Sequence, residues 1–261
     1  AVQKLMLSVN LAYGTVESRK GWQVRALAYL FTAGAIVGVA LASLGVDVLK
    51  AFGPADLPHQ EIRCVVRRAE GVSEDLTLVH AQTPRTQTLR FMAGQRVRLT
   101  SDDGIARELP IASCPCDARN LQFLLRGGTD DPLRASLAAH QTPTLLIEGP
   151  FGDFLLQEES SAPAIFLSVA DGVAPIKSLV EHAIALEWEY PIALYWLSGR
   201  PGGRYLSNYC RSWVDALDRF RYHELDLARA DLRAMVGTLL AEGPTERDWA
   251  VYAAVSPTLA A

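Results

Sequence analysis

Cysteine is scarce in this sequence. The chain holds four, Cys64, Cys114, Cys116 and Cys210, too few for a disulfide framework. Their spacing lacks the C-x4-C-x2-C run of a plant-type iron–sulfur site, so no iron–sulfur cluster is expected. Cys114-Pro115-Cys116 reads as two loop thiols, with a redox pair as the alternative. Positive charge is not in excess either: 25 Lys and Arg against 29 Asp and Glu leave a net charge of −4. No basic field therefore argues for nucleic acid as a partner. The histidines, His59, His80, His140, His182 and His223, are scattered without ligand spacing, and no Ser/His/Asp arrangement or nucleophile elbow is present. What is there is globular in composition, 49% hydrophobic and 21% charged, and its 261 residues suit one large domain or two small ones.

Between Arg25 and Asp47 lies an uncharged run of 21 residues, ALAYLFTAGAIVGVALASLGV. As a helix it would span about 30 Å, the thickness of a hydrocarbon core. Residues 26–47 are expected to form a single transmembrane helix after an N-terminal extension at 1–25; a buried core helix is the alternative. Gly34, Gly38 and Ala42 would share one face, where small residues let another helix approach. Membrane helices of a larger complex are the partner this implies. Lys4, Arg19, Lys20 and Arg25 precede the run and would place the N-terminus on the cytoplasmic, stromal or matrix side. The prolines and glycine of AFGPADLP mark a linker within 48–60.

From Glu61 to Phe154 short β-like runs alternate with turn residues: EIRCVVRRA, LTLVHAQ, TLRFMAGQRVRLT, ELPIAS, LQFLLRG and TPTLLIEGP. Six strands at this spacing predict a closed antiparallel barrel over 61–158. Residues 159–261 change rhythm. APAIFLSVA, GVAPIKSLVEHAIAL, PIALYWLSG, a mixed helix and DWAVYAAVS give the β-α-β order of a parallel sheet. The fold class expected is α+β with two domains, a barrel followed by an α/β nucleotide-binding-like domain, behind one transmembrane helix.

Several motifs carry a resemblance to a known family. FMAGQRVRL (Phe91 to Leu99) looks like an "F-x-x-G-Q-x-V" strand, RELPIAS (Arg107 to Ser113) sits where an "R-x-Y-S-x-x-S" flavin signature would be, and GPFGDF (Gly149 to Phe154) is similar to "G-P-x-G-x-F". In order and spacing these resemble the ferredoxin–NADP reductase superfamily, over about 200 of the 261 residues. The resemblance implies FAD as a cofactor. Arg107 would pair with its pyrophosphate, and Leu109, Pro110, Ile111 and Ser113 would line the flavin, with Gly149 and Gly152 closing the barrel. FLLRGG (Phe123 to Gly128) resembles the strand and turn before the phosphate-facing helix, which puts Arg126 and Gly128 at the site; Thr129, Asp130 and Asp131 follow. SVADGVAPI resembles "G-G-T-G-I-A-P", with Gly172 matched, and SGRPGGRY places Arg200 and Arg204 where the family holds an adenosine 2′-phosphate.

The departures point the other way. Leu109 stands for an aromatic ring and Pro110 for a hydroxyl. Val169 and Ala170 replace glycines that let a backbone approach a pyrophosphate, and Asp171 adds negative charge there, so NAD(P)H binding is expected to be impaired. Ala254 stands where the family carries a cysteine. The leading expectation is an accessory subunit of a photosynthetic or respiratory membrane complex. The alternative is an active FAD-dependent NAD(P)H oxidoreductase passing electrons to a membrane or soluble acceptor. The LPIAS form resembles plastid relatives, which implies a thylakoid membrane first and a mitochondrial inner membrane second.

Overall fold

The computed structural model describes residues 57–261 except 129, 161, 171, 199–205, 227–248 and 256–261. Its first half is one antiparallel sheet of six strands: β1 (Gln60–Ser73), β2 (Leu76–Gln82), β3 (Arg96–Ser101), β4 (Ala106–Pro110), β5 (Asn120–Arg126) and β6 (Thr144–Phe151). The order is β4-β3-β6-β1-β2-β5. Its two outer strands meet where Ile111, just past β4, bridges Phe123 of β5, so the sheet curls toward closure as expected of a barrel. Alternation explains the strands. Ile62, Cys64 and Val66 of β1, Val97 and Leu99 of β3, and Leu145 and Ile147 of β6 point into one core, while Arg63, Arg96 and Arg98 face out.

One strand is shorter than the pattern suggested. The run from Thr88 becomes a strand only at Arg96, because residues 92–95 form a turn in which Gln95 N donates to Met92 O and Gly94 takes a φ of 91°. A left-handed backbone there ends the extended run, and glycine adopts it without steric cost.

Helix α1 (Pro132–Ala139) follows β5. The second half holds β7 (Ala164–Val169), α2 (Val173–Ala185), β8 (Ile192–Ser198), α3 (Ser207–Ala216), β9 (Phe220–Asp226) and β10 (Ala250–Val255). Its four strands are parallel in the order β10-β7-β8-β9. Every residue of β8 is buried, the mark of a central strand covered on both faces. On one face Phe166, Leu194 and Trp196 pack against Ile176, Leu179, Val180 and Ala183 of α2, and Ala93, Ala112 and Leu124 from the first half join the same cluster. On the other face Ile165, Ala193, Tyr195 and Leu197 form a smaller one.

The two-sheet architecture agrees with the sequence reading, but the membrane part is corrected. Among the described residues no helix is long and apolar enough to cross a membrane. The expected helix at 26–47 and the extension at 1–25 lie outside the described residues. The single-pass membrane location, thylakoid or mitochondrial, is accordingly withdrawn. A second correction concerns the cysteines: Cys114 and Cys116 are joined in a disulfide, while Cys64 and Cys210 are free and buried. The 3-10 turn at Pro115–Asp117 folds Cys116 back until its N–H reaches Cys114 Sγ at 3.1 Å, and this brings the two sulfurs together.

Candidate flavin-type site at the barrel edge

Strand β4 sets Arg107 opposite Leu99. Its guanidinium, about a third exposed, reaches across to the end of β5 and the start of α1. There Arg107 Nη1 donates to the Arg126 carbonyl at 3.0 Å and Nη2 lies 2.7 Å from Asp131 Oδ2. Asp131 is the N-cap of α1: its carboxylate also accepts from Arg134 N at 3.0 Å and is only 7% exposed. A carboxylate at a helix start satisfies free amides and the helix dipole. It fills the position that the sequence reading gave to a pyrophosphate.

Around this pair the other named residues divide. Arg126 closes β5 and pairs with Asp75 Oδ2 at 3.2 Å. At Gly128 an added Cβ would meet no atom within 4 Å, so this turn opens to solvent. Leu109 is partly buried against the barrel core and Pro110 pairs with Arg96 at the strand end. Ile111 is fully buried, which makes it core rather than lining. Ser113 is buried too; its Oγ accepts from Gln122 N at 3.2 Å and its carbonyl accepts from Ser178 Oγ at 2.8 Å. Gly149 lies within β6 and Gly152 just past its end, where the Gly152 carbonyl accepts from Gln95 Nε2 at 3.2 Å. The structure thus brings Arg107, Arg126, Gly128 and Asp131 together and leaves Ile111, Ser113, Gly149 and Gly152 as scaffold.

The turn after β7 is closed from within. Ala170 holds a φ of 52°, a conformation glycine takes more readily. Its amide donates to Leu197 O at 2.7 Å, its carbonyl accepts from Trp196 Nε1 at 3.0 Å, and Gly172 N donates to Val169 O at 3.1 Å. At Gly172 a Cβ would stand 2.2 Å from Ala254 O, so the helix start can sit this close to β10 only without a side chain. Asp171, Arg200 and Arg204 lie outside the described residues.

Sequence reasoning missed Lys177. It is 5% exposed on α2, where Nζ donates to Ala112 O at 3.1 Å, Gln122 Oε1 at 3.0 Å and Glu181 Oε1 at 2.6 Å. Burial pushes its ammonium below the ordinary lysine range, against the pull of Glu181. Glu181 also accepts from Cys114 N at 3.1 Å and Tyr209 Oη at 2.6 Å. This network pins α2 to the strand ends of the first sheet beside Ser113. The four-residue Lys–Glu spacing was the only signal in the sequence.

No protein-family model matches the chain. Among curated proteins it is 29% identical over 151 residues to terephthalate 1,2-dioxygenase, reductase component 1, of Comamonas sp., covering 57% of this chain and 44% of that one. It is 30% identical over 156 residues to CDP-6-deoxy-L-threo-D-glycero-4-hexulose-3-dehydrase reductase of Yersinia pseudotuberculosis, covering 58% and 46%. The chain thus spans less than half the length of these relatives. Among solved structures, a ferredoxin NADP+ reductase from Neisseria gonorrhoeae with bound FAD and NADP superposes with a TM-score of 0.59 at 17% identity, over 73% of this chain and 84% of that one. The structural likeness gives the fold, and the sequence relatives carry reductase names. In its fold and in the names of its sequence relatives the chain is similar to the ferredoxin reductase-like superfamily of FAD- and nicotinamide-type proteins.

Proposed function

We propose that this chain is an FAD-dependent NAD(P)H oxidoreductase that hands electrons to a separate acceptor. The observation that carries this reading is Arg107, a partly exposed guanidinium held at the sheet edge, over an open glycine turn and facing a helix start. That donor set fits a dinucleotide phosphate: a planar cation for bidentate contact and, at Gly128, space where a side chain would stand. Asp131 holds Arg107 until an outside anion replaces it. The reductase roles in the names of the sequence relatives support this reading over an accessory subunit.

When bound, FAD supplies a two-electron acceptor that can release its electrons to a further partner. The chain's own residues bind and orient. Arg107 and the Gly127–Gly128 turn hold phosphate, Leu109 and Pro110 offer an apolar edge, and the Lys177–Glu181 network fixes α2 against the barrel beside it. The nicotinamide turn binds weakly in this reading, because Ala170 N is taken by Leu197 O of β8, Gly172 N by Val169 O within the turn, and the Ala170 side chain stands where the resemblance has a glycine.

The test is direct. Protein purified and incubated with FAD is expected to be yellow, with flavin absorbance bands retained after desalting, and to reduce a dye with NADH or NADPH. A colourless protein with no dye reduction under either donor would overturn the proposal.

A further inference from the structure

Disulfides that only brace a fold close long loops. The Cys114–Cys116 ring spans a separation of two residues, and so short a loop removes only on the order of 1–2 kcal/mol of chain entropy from the unfolded state. Its surroundings suggest a different use. Cys116 is exposed in the 3-10 turn, whereas Cys114 is 4% exposed at the junction with α2. Behind Cys114 stands a relay that the proposed reductase does not employ: His182 Nδ1 lies 3.9 Å from Cys114 Sγ, and His182 Nε2 lies 2.8 Å from Glu158 Oε1. The backbone of Cys114 is held by Glu181, which accepts from its N–H at 3.1 Å, and the Cys116 N–H already points at Cys114 Sγ.

We propose that Cys114–Cys116 is a thiol–disulfide exchange site whose substrates are small thiols, with Cys116 the attacked sulfur and Cys114 the leaving one. A thiolate arriving from solvent can reach only the exposed sulfur. Its sulfur bonds to Cys116 Sγ as the Cys114–Cys116 bond breaks, and the bonding pair passes to Cys114 Sγ. There the Cys116 N–H stabilises the developing thiolate. With Nε2–H donated to Glu158, the imidazolium form of His182 gives its Nδ1 proton to Cys114, leaving a neutral ring that is reprotonated from solvent. A second thiolate then attacks the outer sulfur of the mixed disulfide. A small-molecule disulfide leaves, and Cys116 departs as thiolate and takes a proton from water. Two thiols are oxidised to one disulfide while the protein disulfide is reduced to two thiols. In reverse, neutral His182 removes the Cys114 proton.

The experiment uses the whole chain in glutathione redox buffers, followed by alkylation and peptide mass spectrometry under native conditions. Expected is reversible appearance of two alkylated sites, Cys114 and Cys116, with the buried Cys64 and Cys210 unlabelled. With oxidised glutathione, Cys114→Ser is expected to form a mixed disulfide at Cys116, and Cys116→Ser to form one at Cys114 at least about tenfold more slowly, since access sets the rate. His182→Gln is expected to slow reduction about tenfold or more by removing the proton donor, with an unchanged thermal melt as the check on folding. The proposal fails if millimolar glutathione leaves the bond intact below the melting temperature, if the two serine variants react equally fast, or if a folded His182→Gln is reduced at the parent rate.

Discussion

Arg107 Nη2 lies 2.7 Å from Asp131 Oδ2, so the guanidinium at the barrel edge is answered by a carboxylate of its own chain. Asp131 does two jobs at once, since it also caps α1 through Arg134 N. The two can be separated. Asp131→Asn keeps an N-cap side chain and removes the competing charge, so FAD is expected to bind about fivefold more tightly, the equivalent of about 1 kcal/mol for a partly exposed pair. Arg107→Ala is expected to abolish binding measurable by flavin fluorescence quenching. If neither substitution moves the dissociation constant, Arg107 is not a cofactor ligand.

Two glycines test fold and site apart. At Gly172 a Cβ would stand 2.2 Å from the backbone oxygen of Ala254, so Gly172→Ala must push α2 away from β10. A loss of about 1–3 kcal/mol is expected from such overpacking, read by urea unfolding. Gly128 faces open space, and Gly128→Ala is expected to leave unfolding unchanged while weakening FAD binding. A Gly128→Ala protein that binds FAD as the parent does would put the cofactor elsewhere.

The sequence was most legible where one period governs. Ile62 and Cys64 alternate with the charged Glu61 and Arg63, and their strand could be read directly; the largely apolar β8 and the amphipathic α2 were equally plain. It was silent where meaning depends on a distant partner. Lys177 looks like an ordinary helix-surface lysine, and only the packing of α2 against Ala112 and Gln122 shows it buried. Asp131 was visible as an acid near the expected phosphate, but not as the ligand of Arg107. Proximity of Cys114 and Cys116 in the chain could not tell bonded from free.

Ala170 sits at φ 52° where the resemblance has a glycine. A left-handed alanine costs roughly 1–2 kcal/mol in the folded state, partly offset by the lower entropy of its unfolded chain. Ala170→Gly is therefore expected to change stability by less than about 1 kcal/mol. It also removes the side chain from the face a nicotinamide dinucleotide would approach. The Michaelis constant for NADPH should fall severalfold with FAD affinity unchanged, measured by steady-state dye reduction. A rise in that constant would mean that the dinucleotide does not use this turn.

Burial pushes the Cys64 and Cys210 thiols up to about 12 from an ordinary 9. Their folded-state proton affinity is raised, so the sign follows from linkage. Below about pH 9 both states hold the proton and nothing is lost; above it the unfolded thiol ionises first, and stability falls as pH rises toward 12. Tyr209 and Tyr222, also raised mainly by burial, act in the same direction at higher pH, whereas Lys177, lowered by burial, opposes it. A difference measurement isolates one thiol. Cys64 is fully buried, and between about pH 8 and about pH 10.5 the parent is expected to lose about 1–2 kcal/mol more than Cys64→Ala in urea unfolding. Parallel pH profiles for the two proteins would mean that Cys64 ionises in the fold as easily as in the open chain, and that its site in the barrel core admits water.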